Sequence, residues 1–439
     1  GLFSRSEGQP PEAFARVEIL VNTRRMQRRI QELLSEGPAC LLPRIRLLTD
    51  LADEPRTGAL PAAVPPIKRR LILSELVAKL LDAEPDLAPR SAIFDLADSL
   101  ARVLDEMQGE DVSLEDLDTI REDGLSQHWQ KSLRFLRLIG HYVDALDTGL
   151  DPEARQRLAV AQLGALWKHC PPQHPILLAG STGSRGTTAE LMGLIASLPQ
   201  GAVILPGVDL DMPDEVWARL DTPRTGEDHP QYRFVGLMHR LGVSRNDLQY
   251  WTDPAPANHS RNRFVSLAMR PAPVTDQWLT EGPKLEGLGA ATGSMTLIEA
   301  PDSRTEALAI SLRLRQAVED GQTAALISPD RVLTRQVAAA LDRWRIIPDD
   351  SAGRPLALSA PGRFLRHVAA LFDEPMTPEA LITLLKHPLC HSEHPDRGDH
   401  LRRTRDLELH MRHEAPFFLS GDTLREWASG KLDETGLVW

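Results

Sequence analysis

The sequence predicts an α/β protein of two units, each interrupted by a block of helices, and three observations carry that reading. First, Val17-Glu-Ile-Leu-Val-Asn22 is rich in β-branched residues, then breaks at Asn22-Thr23 into a stretch whose Met26, Ile30, Leu33 and Leu34 repeat at helical spacing. Second, the apolar runs Pro175-Ile-Leu-Leu-Ala179 and Gly201-Ala-Val-Ile-Leu205 flank a loop of glycines and hydroxyls, Gly180-Ser-Thr-Gly-Ser-Arg-Gly-Thr-Thr188. Third, strand and helix patterns alternate again from Ser294 to Trp344. At 439 residues, the prior of roughly 100 to 200 residues per domain also favours several domains.

Taken in order, a strand over 17–22 leads into a helix from Arg24. Pro38 and Pro43 bracket a break, and Ile45-Arg-Leu-Leu-Thr-Asp-Leu51 reads as a second strand ending at Thr49 and Asp50. The four prolines between Pro55 and Pro66 mark a linker. From Ile67 to about Trp167 the pattern is helical only. Phe94, Ala97, Leu100, Ala101, Leu104 and Met107 share one face, as do Trp129, Leu133, Leu136, Ile139 and Val143. Strands return at Ile176 and Ala202, and the pattern fades in a Pro- and Asp-rich region up to about Gly289. A second α/β unit then reads as a strand at Ser294–Ala300, a helix over Ser303–Glu319, a strand at Thr323–Ser328 and a helix over Val332–Trp344. The last eighty or so residues are helical.

Composition bounds the function. No run approaches the roughly 18 apolar residues of a membrane span. Cys40, Cys170 and Cys390 stand far apart, so neither a disulfide framework nor a zinc or iron–sulfur site built from this chain alone is expected, and a reducing cytoplasm fits. The chain opens at Gly1 without a signal-like segment and reads as a piece of a longer protein. Its net charge of −12 argues against bulk attraction to nucleic acid. Locally the balance reverses: Arg16, Arg24, Arg25, Arg28 and Arg29 face only Glu18 in the same stretch. Such a run is either a solvated helix face or a nucleic-acid contact.

The glycine-rich loop resembles a phosphate cradle without its chemistry. Such a loop needs a lysine and a Ser/Thr to hold charge and magnesium, and Thr187 stands where the lysine would be. No Asp-Glu pair ends a strand before Ala179, so magnesium carboxylates are not visible either. The frame is that of an NTPase, and ATPase activity is not expected of this chain alone.

The order strand, inserted helices, strand, then a second α/β unit with its own helical block resembles superfamily 1 DNA helicases of the UvrD and RecB type. The wording is closer to one branch. Val21-Asn-Thr-Arg-Arg-Met26, Leu42-Pro-Arg-Ile-Arg-Leu-Leu-Thr-Asp50, Ala179-Gly-Ser-Thr-Gly-Ser184, Asp350-Ser-Ala-Gly-Arg-Pro-Leu356 and Leu384-Leu-Lys-His-Pro-Leu-Cys390 resemble the AddB family of bacterial helicase-nuclease subunits in its alphaproteobacterial form. The resemblance runs from about Ala15 to the end. It implies two RecA-like P-loop NTPase-type domains with helical insertions: residues 1–65 and 171–285 the first domain, 66–170 its insertion, 286–355 the second domain, and 356–439 an incomplete insertion.

The same resemblance implies a place in double-strand-break repair by homologous recombination. The chain would guide single-stranded DNA, scan it for a Chi-type sequence and meet duplex ends. An AddA-type partner would use ATP and magnesium, and a RecB-type nuclease with metal ions and an iron–sulfur cluster would lie beyond residue 439. Where an active second motor domain places an arginine after its strand, this chain has Pro329; Arg331 or Arg335 could stand in structurally. Two other readings stay open: an active NTPase whose phosphate loop precedes Gly1, and a protein-interaction scaffold without DNA contact.

On that reading Arg24 and Arg25 contact DNA phosphates, while Asn22, Thr23 and Thr49 add neutral hydrogen bonds to the backbone of a single strand. Ser181, Thr182 and Ser184 either hold a phosphate at a helix N-terminus or form a structural turn. Trp129, Phe135 and Tyr142 could stack on bases, though their helical spacing favours core packing. His387, Cys390, His391 and His394 are close enough for a metal, but Pro388 and Pro395 break any shared helical face, and His387 reads as the end of a helix. Asp209 and Asp211 read as turn carboxylates before Pro213 rather than magnesium ligands. No cofactor or metal site is assigned to this chain.

Overall fold

The computed structural model describes residue 2 and residues 8–37, 41–53, 60–110, 112–113, 116, 130, 132–137, 151–184, 186–251, 258–353, 355–393, 395–414 and 417–435, with backbone only at 11, 223, 224 and 432–435. The chain is mixed α/β and mostly helical, and it divides into two units, Gly1–Met295 and Thr296–Trp439.

The first unit is built on four parallel strands, β1 (Glu18–Val21), β2 (Arg44–Leu47), β3 (Ile176–Ala179) and β4 (Gly201–Ile204), in the order β2-β1-β3-β4. Every residue of β1 and β3 is buried, as central parallel strands covered on both faces require. Alternation along the strands sorts these residues into two cores. Ile19, Val21, Ile45, Leu47 and Leu177 face Met26, Ile30 and Leu34 of α1 (Arg24–Ser35). Leu20, Ile176 and Leu178 face the other way. They meet Val160 and Leu163 of α4 (Pro152–His169), and Leu191, Met192 and Ile195 of α5 (Gly186–Ala196). Burying a side chain of this kind stabilises by about 1.5–3 kcal/mol. Leu33, placed by its spacing on the core face of α1, is instead half exposed, because the helix covers the sheet with only the stripe 26-30-34.

β2 is shorter than the predicted 45–51 run. The chain leaves the sheet at Leu48 into a 3-10 turn over Leu48–Asp53, whose Leu48 and Leu51 are buried in the core that holds α4. At the opposite, amino edge, Glu18 is only 3% exposed and lies between Arg46 and His174, each 3.7 Å away.

The predicted helical block contains α2 (Pro66–Ala83) and α3 (Ile93–Glu110), packed through Leu73, Val77 and Leu80 on Ala97, Leu100 and Leu104. Phe94 leaves the face it was assigned to: it is exposed, with the Arg70 guanidinium 5.5 Å above its ring. The last helix of the block, α4, is a layer of the sheet, since Val160, Leu163 and Trp167 pack on the strands. Leu133 is buried, and Leu136 and Phe135 pack on the α2/α3 core. Trp129, Ile139, Tyr142 and Val143 lie outside the described residues. After β4 come short helical turns, then α6 (Tyr232–Leu241), closed by Gly242 in the left-handed region, and α7 (His259–Ala268).

The second unit corrects a prediction. Its helices form where the sequence puts them: α8 (Ser303–Glu319) begins at Asp302, whose carboxylate accepts from the Thr305 N–H, and α9 (Arg331–Asp342) begins at Asp330, whose carboxylate accepts from the Val332 N–H. Ala307, Val337 and Leu341 join them. The strands predicted at Ser294–Ala300 and Thr323–Ser328 form no ladder among the described residues. Leu326 and Ile346 turn toward the helices, while Leu297, Ile327 and Ile347 are 84%, 94% and 92% exposed. The rest of the unit is helical as expected, with α10 (Ala360–Asp373), α11 (Pro378–Leu385), α12 (Arg397–Glu414) and α13 (Gly421–Thr435). No helix among the described residues is long and apolar enough to cross a membrane.

Candidate nucleic-acid interface

The chain order marks one edge of the sheet as the place of a candidate site. From β1 the chain moves to β2 on one side, and β3 returns on the other side of β1, with α1 and α5 on opposite faces. In open parallel sheets such a reversal leaves a crevice at the carboxyl ends of the two central strands, the usual place for a ligand. Here the crevice lies between the ends of β1 and β3. Asn22 and Thr23 follow β1, Gly180 to Thr182 follow β3, and Thr49 follows the neighbouring β2.

A hydrogen bond crosses the crevice: Asn22 Nδ2 donates to the Gly180 carbonyl at 2.9 Å. Gly180 has φ +78°, a conformation that favours glycine, and a Cβ there would stand 2.6 Å from Sδ at the flexible end of the Met26 side chain. Thr23 caps α1, its Oγ1 accepting from the Met26 N–H at 3.2 Å. Arg24, Arg25, Arg28 and Arg29 are all exposed. Arg29 pairs with Glu32 at 3.3 Å. Four cations in the first two turns, with no acidic residue in the first turn, oppose the helix dipole, which favours anions at that end. A polyanion laid along this face would relieve that opposition.

The hydroxyls differ among themselves. Ser181 is buried, and its Oγ accepts from the Gly183 N–H at 3.2 Å, so it holds the turn. Thr182 is half-buried. Thr49 is exposed and donates to Asp50 Oδ1 at 3.2 Å, which sets a carboxylate beside it. The sheet therefore gathers Asn22, Thr23, Arg24, Arg25, Thr49, Ser181 and Thr182 along one edge, with only Ser181 turned inward. The clasp between Asn22 and Gly180 has no signal in the sequence, because the two residues are 158 positions apart.

Elsewhere the alternatives separate. Asp209 Oδ1 accepts the N–H groups of Asp211 and Met212 at 3.0 and 3.1 Å, a turn role. His387 is buried past the end of α11, its Nδ1 accepting from the Leu389 N–H, with the Phe364 ring 5.2 Å away. His394 lies outside the described residues. Among the described residues no group of three or more His, Cys, Asp or Glu is placed to hold a metal ion. Arg331 forms a two-pronged pair with Asp350, both contacts at 3.1 Å, and that hydrogen bonding raises its affinity for the proton still further. Arg335 donates to the Arg331 carbonyl at 2.9 Å.

No protein-family model matches the chain, and a search of curated proteins finds no match.

Proposed function

We propose that this chain is a helicase-like, ATPase-degenerate scaffold that guides single-stranded DNA along the carboxyl edge of its sheet. Its two halves are read as RecA-like domains of an AddB-type subunit, acting in double-strand-break repair in the cytoplasm. In this reading an AddA-type partner supplies ATP-driven translocation, and scanning for a Chi-type sequence takes place on this chain. The observation that carries the proposal is the exposed arginine face of α1 at the strand crossover, set on a chain whose net charge is −12. Arg24 and Arg25 supply charge to phosphates. Asn22, Thr23, Thr49 and Thr182 position the backbone without reading bases. The loop after β3 keeps glycines and hydroxyls but no lysine, which favours a positioning role over nucleotide hydrolysis.

Fluorescence anisotropy of a labelled single-stranded oligonucleotide across a salt series tests this, with Arg24→Glu/Arg25→Glu alongside. Binding is expected to fall with salt, and the variant is expected to lose affinity and to flatten the log–log slope by about 1.4, at about 0.7 per phosphate contact on single strands. Equal affinity and slope in both proteins would remove α1 from the interface and leave a protein-interaction scaffold as the better reading.

A further inference from the structure

We infer that a cavity between the end of α11 and the face of α12, in the second unit, is a binding site for a phosphoryl group. The cavity, about 390 Å3, falls in the range of about 300–1,000 Å3 usual for small-molecule sites. Leu385 and Leu407 supply its apolar wall, and His391, Asp396, His400 and Arg403 line the rest. Arg403 points to a ligand. It is half-buried, and among the described residues it makes no hydrogen bond or ion pair. A guanidinium carries five donors and keeps its charge, so one partly withdrawn from water calls for an acceptor. The other arginines near it on α12 have theirs: Arg397 donates to the Cys390 and His387 carbonyls, Arg402 pairs with Asp399 at 3.0 Å, and Arg412 pairs with Glu408 at 2.7 Å.

The two histidines are a second, independent observation. His391 sits in the left-handed region at φ +56°, uncommon for a residue other than glycine. Its ring lies 5.2 Å from that of His400, tilted by 30°. Strained residues of this kind gather at ligand clamps. His400 is fixed by Nε2, which donates to the Leu385 carbonyl at 2.8 Å, and its Nδ1 has no partner among the described residues. Protonating both rings beside Arg403 is opposed by repulsion between like charges. Asp396 is the one carboxylate among the described lining residues, Arg397 adds charge from α12, and Lys386, just past α11, is paired with Glu408. A phosphoryl group, at about −1.5 to −2 near neutral pH, reverses that balance. Donors at three separate positions suit a tetrahedral oxyanion, which offers three oxygens, better than a planar carboxylate. The source of the group is either a small phosphate monoester or a nucleic-acid backbone, and the site does not depend on the DNA reading of α1.

Isothermal titration of the full chain with sulfate tests the site, because sulfate is a dianion at both about pH 6 and about pH 8, on either side of the ordinary histidine range. Binding is expected to be tighter at the lower pH. Arg403→Gln is expected to weaken it about tenfold. His391→Gly, which releases the left-handed backbone, is expected to raise Tm and still weaken binding. A higher Tm with unchanged affinity would mean a strained turn alone, and that result overturns the proposal. So does the absence of sulfate binding, equal affinity at the two pH values, or an Arg403→Gln chain that binds as the unaltered one does. At constant ionic strength, displacement of a bound oligonucleotide by sulfate from the unaltered chain but not from Arg403→Gln would assign the group to nucleic acid. Adenosine monophosphate binding more tightly than sulfate, with the oligonucleotide retained, would assign it to a small phosphate monoester. Arg24→Glu/Arg25→Glu is expected to bind sulfate at this site as the unaltered chain does, so failure of the α1 interface leaves this result readable.

Discussion

The sequence repeats one pattern in both units, an apolar run followed by a polar turn and a helix, and the two outcomes differ. In the first unit Leu20, Ile176 and Leu178 lie in a ladder with at most 1% of their surface exposed. In the second, Thr323-Ala-Ala-Leu-Ile-Ser328 precedes a well-capped helix but pairs with nothing among the described residues, and Ile327 faces outward. The contrast separates what is local from what is not. A helix closes its own hydrogen bonds, and Asp302 or Asp330 is enough to start it. A strand has no structure until a neighbour accepts its backbone groups.

Paired truncations put the largest number on that contrast. Leu178→Ala should destabilise the first unit by about 2–5 kcal/mol, because it opens a cavity in a filled core, whereas Ile327→Ala should change stability by no more than about 0.5 kcal/mol. Urea unfolding followed by circular dichroism measures both, and an equal cost at the two sites would mean that the outer face of the second unit is covered in solution. A smaller effect, about 1 kcal/mol, is expected for Asp330→Ala, which removes the acceptor of the Val332 N–H. Faster amide exchange confined to the first turn of α9 would show that this helix stands on its own cap. Exchange accelerated throughout the second unit would mean that its helices are as interdependent as the strands of the first.

The smallest effect concerns pH. Glu408 on α12 accepts from Lys386, just beyond α11, and from Arg412, and these hydrogen bonds lower its pKa from 4.5 to about 2. A depressed carboxylate contributes stability above its unfolded pKa and loses it as pH falls through the folded one. The melting-temperature difference between the chain and Glu408→Gln should therefore be full above about pH 4.5 and vanish toward about pH 2. A constant difference across that range would remove the ion pair as its cause.

Particular residues explain which parts of this arrangement are legible in the sequence. The helix from Ser303 to Glu319 can be bounded because its cap and its end are local signals. Strands β1 and β3 can be found because all of their residues but Glu18 are apolar, but their adjacency cannot, since 158 positions separate each residue from its partner. On α1 the arginines are visible, yet the spacing of Leu33 and Leu34 does not reveal that one of them faces water. Ser181 reads in the sequence as either a phosphate ligand or a turn residue, and the Gly183 N–H on its oxygen is the turn contact that only the folded chain displays. Thr187 stands out in the sequence only as a lysine that is missing. Its unpaired hydroxyl emerges when α3, α4 and α6 close around it.

Glu18 makes the sheet keyed rather than merely packed. It opens β1 directly beside Arg44 of β2 and Ile176 of β3, and its carboxylate reaches Arg46 and His174 at that edge. Shifting β1 by one residue would swap its two apolar faces and drive the carboxylate into the core, so that slip is closed to the chain. With the amino edge locked, the far end of β1 has no freedom along the strand. Asn22 arrives opposite Gly180 because a charged residue roughly 13 Å away, at about 3.3 Å per residue, leaves it nowhere else to be.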